Sequence, residues 1–219
     1  MRAEIDLLVN YPKANRDLNS RLIGKTEADR AVARRFDKDF FDGDRRHGYG
    51  GFSYMPRFWQ PVIPTFQKHW GLDGSSSVLD VGCAKGFMMY DMSQLIPGIT
   101  VKGIDVSQYA IDNTIETMRP HVQVANAMAL PFADKSFDIV ISINTIHNLD
   151  REGCAQALRE IERVARRGSF ITVDAYRNGE ERERMYAWNL TAQTIMSIDE
   201  WVAFFNEVGY TGDYYWFIP

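Results

Sequence analysis

An α/β fold, with a mostly parallel sheet covered by helices on both faces, is predicted by three features of the 219-residue chain. From Ser77 onward, short apolar runs alternate with helix patterns, which is how βαβ units read in sequence. The run Ser77-Val78-Leu79-Asp80-Val81 leads directly into a turn holding Gly82 and Gly86, and a helix pattern with Phe87, Met88, Met89 and Leu95 follows at once. A second apolar run, Thr100 to Ile104, ends in Asp105, about twenty residues beyond the glycines, where a carboxylate that grips a ribose is usual. A glycine turn between a buried strand and a helix N-terminus lets a ligand approach bare backbone and aims N–H groups at it. These features predict a nucleoside-binding unit.

The elements follow in order. Strands are expected at 77–81, 100–105, 121–125, 137–143, 169–175 and 213–218, and helices at 86–95, 107–118, 151–166 and 198–208. Pro97-Gly98 stops the first helix. Ser107 supplies an N-cap for the second and Pro120 follows its end. Gly168 is expected to close the third before the fifth strand, and Ser197 or Asp199 to cap the last. The ligand belongs at the carboxyl ends of the strands, beside the switch point.

Residues 1–75 read differently, as a helical cap that folds onto the 76–219 unit rather than an independent domain. Thr26 can cap a helix in which Ala28, Val32, Phe36 and Phe40 make one apolar stripe. A segment rich in glycine, aromatics and charge follows, from Asp42 to Tyr54, and its glycines at 48, 50 and 51 suit a lid. Pro56 to Pro61 then leads into an apolar helix ending near Trp70.

The glycine turn discriminates between nucleotides. A dinucleotide fingerprint reads G-x-G-x-x-G and a P-loop reads G-x-x-x-x-G-K-[ST]; neither is present. The spacing Asp80-x-Gly82-x-Ala84-x-Gly86 resembles motif I of the class I S-adenosylmethionine-dependent methyltransferases, acidic-x-Gly-x-Gly-x-Gly, with Ala84 at the central glycine. Two further segments resemble the same family: Ala125-Asn126-Ala127-Met128-Ala129-Leu130-Pro131-Phe132, and Ser136 through Asn144. The resemblance covers roughly 76–175 and implies a Rossmann-like methyltransferase sheet. Its usual last antiparallel hairpin needs two strands, and one is visible before Pro219.

What the resemblance implies for the site is specific. Asp80, Gly82, Cys83, Ala84 and Gly86 would border S-adenosyl-L-methionine. Asp105 would meet its ribose and Val106 would border the cofactor beside it, Asn126, Ala127 and Met128 would meet the adenine ring, and Asn144 the methionine portion. Asp80 reads equally as a residue that holds the turn. His147 lies at the pocket mouth and is either a general base or a structural histidine bonded to a loop. Tyr49, Tyr54, Arg57, Trp59, His147 and Tyr176 are the candidates for contact with the acceptor. Trp188 and Asn189 sit in a segment that helps close such sites.

Composition narrows the partners. A net charge of −4 offers no electrostatic case for nucleic acid, and no apolar run is long enough to cross a bilayer. The expected acceptor is therefore a small molecule, methylated on oxygen or nitrogen, or on carbon. The rivals are another reaction of the same sulfonium (a lyase or an aminocarboxypropyl transfer) and a cofactor-binding subunit without turnover. Two cysteines far apart in sequence, and no secretory leader pattern, fit a reducing, cytoplasmic setting. Histidines and cysteines lack metal-ligand spacing, so no metal is expected. The oligomeric state stays open, a homodimer included.

Overall fold

Strand β1 (Ser77–Val81) is buried on both faces, which places it in the middle of the sheet rather than at an edge. The computed structural model describes residues 2–12 and 25–219. Residues 13–24 of the segment read as a cap lie outside them. The other strands are β2 (Thr100–Asp105), β3 (Val122–Val124), β4 (Phe137–Ile143), β5 (Ala165–Tyr176), β6 (Met196–Ser197) and β7 (Asp213–Phe217). They form one seven-stranded sheet in the order β3-β2-β1-β4-β5. Phe170–Asp174 of β5 then pairs with β7, and Ala175–Tyr176 pairs with β6. Every named pairing is parallel. The order reverses beside β1, so the β1 and β4 carboxyl ends form the crevice that the sequence anticipates.

Helices cover both faces. On one lie α4 (Ile63–Trp70) and α5 (Phe87–Leu95), which bury Ile63, Phe66, Met88, Met89 and Met92 against Val78, Val101 and Ile139. On the other lie α7 (Arg151–Val164) and α9 (Ile198–Val208), burying Leu158, Ile161, Trp201 and Phe205 against Leu79, Val140 and Ile171. Each fully buried aliphatic or aromatic side chain of this kind contributes about 1.5–3 kcal/mol. Ser197 caps α9 through a reciprocal box with Glu200. Ahead of α4 come α1 (Glu27–Ala33), α2 (Lys38–Phe41) and α3 (Pro56–Trp59), and α6 (Gln108–Asp112) follows β2.

Three local expectations change. The helix running from Thr26 through Phe40 is two short helices, because Phe36 turns into the left-handed region at φ 50°. That turn sets the Phe36 and Phe40 rings edge to face, 5.2 Å apart, instead of stacking them along a stripe. The helix expected over 107–118 stops at Asp112. Asn113 caps it, and the Ile115 N–H bonds the Lys85 carbonyl of the glycine turn in place of its own helix. A 3₁₀ turn, Glu116–His121, completes the connection. Gly168 does not close a helix: β5 begins at Ala165, paired to Phe137, and Gly168 lies inside the strand opposite Ile139. A helix covering Gly179–Trp188, α8, and the two-residue β6 complete the C-terminal part.

The last strand, β7, runs parallel to β5, and its outer edge is covered by the N-terminal segment. Ile5 donates to the Tyr214 carbonyl and Tyr214 to the Ala3 carbonyl, both at 3.0 Å. Pairing of this kind removes a bare edge. Among the described residues no helix is long and apolar enough to cross a membrane.

Candidate functional site

The turn after β1 is built from main-chain bonds that force glycine where glycine stands. Gly82 and Cys83 both donate to the Ile104 carbonyl at the end of β2, at 2.8 and 2.9 Å, and Gly86 donates back to Cys83. Gly82 holds φ 89°, and a β-carbon there would run into the Thr145 side chain. Ala84 accepts φ 48° despite its methyl group. The strain of such a conformation is of the order of 1–2 kcal/mol, and one hydrogen bond helps hold it. The Ala84 N–H donates to Asp105 Oδ2 at 2.8 Å, while Ser107 donates to Asp105 Oδ1 at 2.9 Å. Asp105 therefore ties β2 to the glycine turn and keeps further lone pairs on both oxygens for a ligand.

Electrostatically, the crevice is acidic. Asp80 is buried, and its carboxyl accepts no hydrogen bond from a described residue. Burial first, and the neighbouring Asp105 second, push it up to about 8. Burial likewise raises Asp105, against the bonds from Ser107 and Ala84 that favour its charged form. Cys83 is buried beside both, and its thiol is raised well above the usual range, so it offers backbone rather than a thiolate.

The basic residue of the turn is already committed. Lys85 is buried, and its Nζ donates to Asp42 Oδ2 at 2.6 Å and to the Phe52 carbonyl at 2.9 Å. Asp42 also accepts from Tyr109 Oη and the Phe52 N–H. Burial works against its charge, but these donors hold the Asp42 carboxyl down at about 2. This cluster fastens the segment before β1 to the glycine turn. Phe52 stacks on Phe87 at 4.9 Å beside it. Asp42→Asn is expected to cost roughly 2–3 kcal/mol, because it strands a buried ammonium. Thermal denaturation should show a midpoint lower by about 4–12 °C.

The remaining candidates separate into two groups. At the crevice stand Val106, Asn144 and His147. Val106 is largely exposed and borders a cleft of about 510 Å³ that also takes in Arg35, Phe36, Asp37 and Tyr109. Asn144 holds φ 51° at the end of β4, with its amide oxygen and its N–H both bonded to Thr172 Oγ1. His147 is buried; its Nδ1 accepts the Asp174 N–H at 2.9 Å, and its carbonyl accepts from Gln193 and Thr194. Asn126 is exposed, its oxygen accepting the Met128 N–H in a local turn. Ala127 joins the core, and the Met128 carbonyl accepts from Gln156.

The cap candidates are held in packing. Tyr49 lies among Phe40, Phe41 and Phe52. Tyr54 donates to Asp91 on α5, and burial followed by that acid raises its phenol to about 12. Trp59 meets Tyr11 edge to face at 5.1 Å, and Arg57 spreads over Phe58 at the surface. Tyr176 reaches Glu200 at 3.4 Å and lines a small cavity with Ser197 and Asp199. Trp188 stacks near Phe217 on β7, and the Asn189 side chain closes a loop through Ala192. Sequence reading missed Thr145, which covers Gly82, the Lys85–Asp42 link, and Asp174. The last had a signal: β5, like β1 and β2, carries an aspartate near its carboxyl end.

Comparison with known proteins bears on the fold. Residues 79–173 match the family described as a methyltransferase domain. An uncharacterised protein of Haemophilus influenzae is 30% identical over 153 residues, covering 64% of this chain and 60% of that one. The O-methyltransferase resE of Aspergillus sclerotiorum is 34% identical over 103 residues, covering 44% of this chain and 38% of that one. The chain thus spans between two fifths and three fifths of the length of these relatives. Among solved structures, the [4+2]-cyclase SpnF superposes with a TM-score of 0.56 at 21% identity, over 71% of this chain and 59% of that one.

Proposed function

We propose that this chain, whose residues 79–173 match the methyltransferase-domain family, is a class I methyltransferase that transfers the methyl group of S-adenosyl-L-methionine to a small-molecule acceptor. The carrying observation is the charge of the crevice. Asp80 and Asp105 are buried there, and the turn's own cation, Lys85, is bonded to Asp42. A phosphate-bearing nucleotide would be repelled by such a site, whereas an adenosyl ligand with a sulfonium and an ammonium group supplies the missing positive charge. The residues present therefore fit this cofactor. When bound, it supplies an electrophilic methyl carbon.

The chain's own residues hold and orient. Asp105 offers lone pairs to the ribose hydroxyls, and Val106 an apolar surface to the adenine. Gly82 leaves the backbone bare, while Asp80 faces the cationic end. Alignment of the acceptor with the methyl group then supplies much of the rate. The segment before β1, fastened through Asp42, excludes water from the crevice. A small-molecule acceptor is favoured by the acidic net charge, by the packed aromatic cap, and by a relative named as an O-methyltransferase. A different reaction on the same cofactor, a lyase or an aminocarboxypropyl transfer, is the second reading, because a fold does not fix its chemistry.

Asp80 makes cofactor binding depend on pH. Its carboxyl, pushed up to about 8, is mostly protonated at pH 7 and must ionise to face a cation. Affinity is expected to rise about fivefold between pH 7 and pH 8 and about tenfold by pH 9, where it levels off, with up to one proton released per cofactor bound at pH 7. Calorimetric titration in buffers of different ionisation enthalpy reads that proton directly. A flat profile with no release would remove Asp80 from the cationic end. The test of the function is incubation with methyl-labelled cofactor and a metabolite extract. Labelled product together with S-adenosylhomocysteine is expected, whereas methylthioadenosine would indicate the other reaction.

A further inference from the structure

Asp174 is 7% exposed, and its carboxyl oxygens accept no hydrogen bond from any described residue. Strands alternate faces, so Asp174 shares a face with Thr172, which bonds Asn144 at the end of β4. It therefore stands one step further toward the ligand edge of the sheet. Its own N–H donates to His147 Nδ1, which lies 3.7 Å from its Oδ1. A ring nitrogen that accepts carries no hydrogen, so the neutral imidazole holds its proton on Nε2. Burial lowers the ring's pKa, against the pull of Asp174, which favours that neutral form. Taking up a proton on Nδ1 would break the main-chain bond. His147 is thereby a donor.

We propose that Asp174 binds and deprotonates the hydroxyl group of the methyl acceptor, with His147 held as an Nε2–H donor beside it. The inference rests on the methyl-transfer reading. A buried carboxylate without a donor carries an uncompensated desolvation cost, and an acceptor O–H supplies that donor. A hydroxyl fits better than an ammonium because its oxygen also accepts from an imidazole N–H; an ammonium has no lone pair. In the step, the acceptor O–H bond breaks and its proton passes to an Asp174 carboxyl oxygen. The oxygen lone pair forms the bond to the methyl carbon, and the carbon–sulfur pair leaves with sulfur as the neutral thioether. Atoms and charge balance: carboxylate, alcohol and sulfonium become carboxylic acid, ether and sulfide.

The surroundings suit this role. Burial lifts the carboxyl above its usual range, with His147 opposing, and a less acidic carboxyl is a stronger base. Among the described residues His147 is the charged or titratable group that acts on it. From α9, Trp201 bonds the Asp174 carbonyl rather than the carboxyl. Next along the chain, Tyr176 and Arg177 are engaged by Glu200 and Glu181. On β7 its partner in register is Phe217.

The experiment compares wild type, Asp174→Asn and Asp174→Glu in three measurements. Calorimetry with S-adenosylhomocysteine should give affinities within about threefold for all of them; loss of binding in the wild type itself would sink the methyl-transfer reading instead. Nitrogen-15 NMR of the His147 ring at pH 7 should show Nδ1 unprotonated and Nε2 protonated; the reverse tautomer, or a charged ring, overturns the assignment. Labelled-methyl transfer into a metabolite extract should give O-methyl products, formed by Asp174→Asn about 10²–10⁴-fold more slowly and partly restored in Asp174→Glu. With cofactor saturating at every pH, so that the Asp80 dependence of binding is removed, the acid limb of the wild-type pH–rate profile should vanish in Asp174→Asn. Transfer by a folded, cofactor-binding Asp174→Asn within fivefold of wild type overturns the proposal. So does an extract that yields only N- or C-methyl products, or none.

Discussion

Asp105→Ala is expected to weaken binding of S-adenosylhomocysteine by about two orders of magnitude. Hydrogen bonds to a charged group contribute about 1.5–3 kcal/mol each, and every 1.4 kcal/mol is tenfold in affinity. The loss has two sources in the structure. The carboxylate disappears from the ribose position, and the Ala84 and Ser107 N–H groups lose the oxygens that hold the glycine turn to β2. Asp105→Asn separates them, since one amide oxygen keeps the shape and one of the two main-chain bonds. Its affinity should fall between wild type and Asp105→Ala. Circular dichroism checks that the variants fold, and calorimetry reads the constants. Folded Asp105→Ala with wild-type affinity would remove the ribose assignment.

Gly82→Val should be the most damaging single change to the turn. The side chain would occupy φ 89° and meet Thr145 Oγ1 and Cγ2. Backbone strain of about 1–3 kcal/mol adds to a similar overpacking cost. A loss of roughly 2–5 kcal/mol lowers the thermal midpoint by about 4–20 °C in a domain of this size. Gly82→Val combined with Thr145→Gly should recover the packing part and leave the strain. A double mutant no more stable than Gly82→Val would show that Thr145 is not what the side chain strikes.

How far the sequence carries is clearest at these same residues. Gly82, Gly86 and Asp105 are legible because their roles are local: a positive φ, a bare backbone, a strand end. That the sheet is mostly parallel and covered on both faces follows from the alternation of strands and helices. Features that depend on distant partners are not legible. The break after Asp112 arises because Ile115 bonds Lys85 of another element. Tyr54 reads as pocket wall, yet Asp91 on α5 takes its hydroxyl. Lys85 reads as a turn residue, and its partner Asp42 lies 43 positions earlier. The direction of β7 was equally open, since a strand's pattern is the same whichever way it runs. Asp174 was within reach of the strand-end rule; what the sequence could not supply was its lack of a donor and its proximity to His147.

The most direct test is a calorimetric titration of the full chain with S-adenosylmethionine at pH 7, in two buffers of different ionisation enthalpy. One cofactor should bind per chain at micromolar strength, with proton release from Asp80 visible as a buffer-dependent heat. A folded protein that gives no heat in either buffer, or takes up protons on binding, would contradict a crevice built for an adenosyl cation.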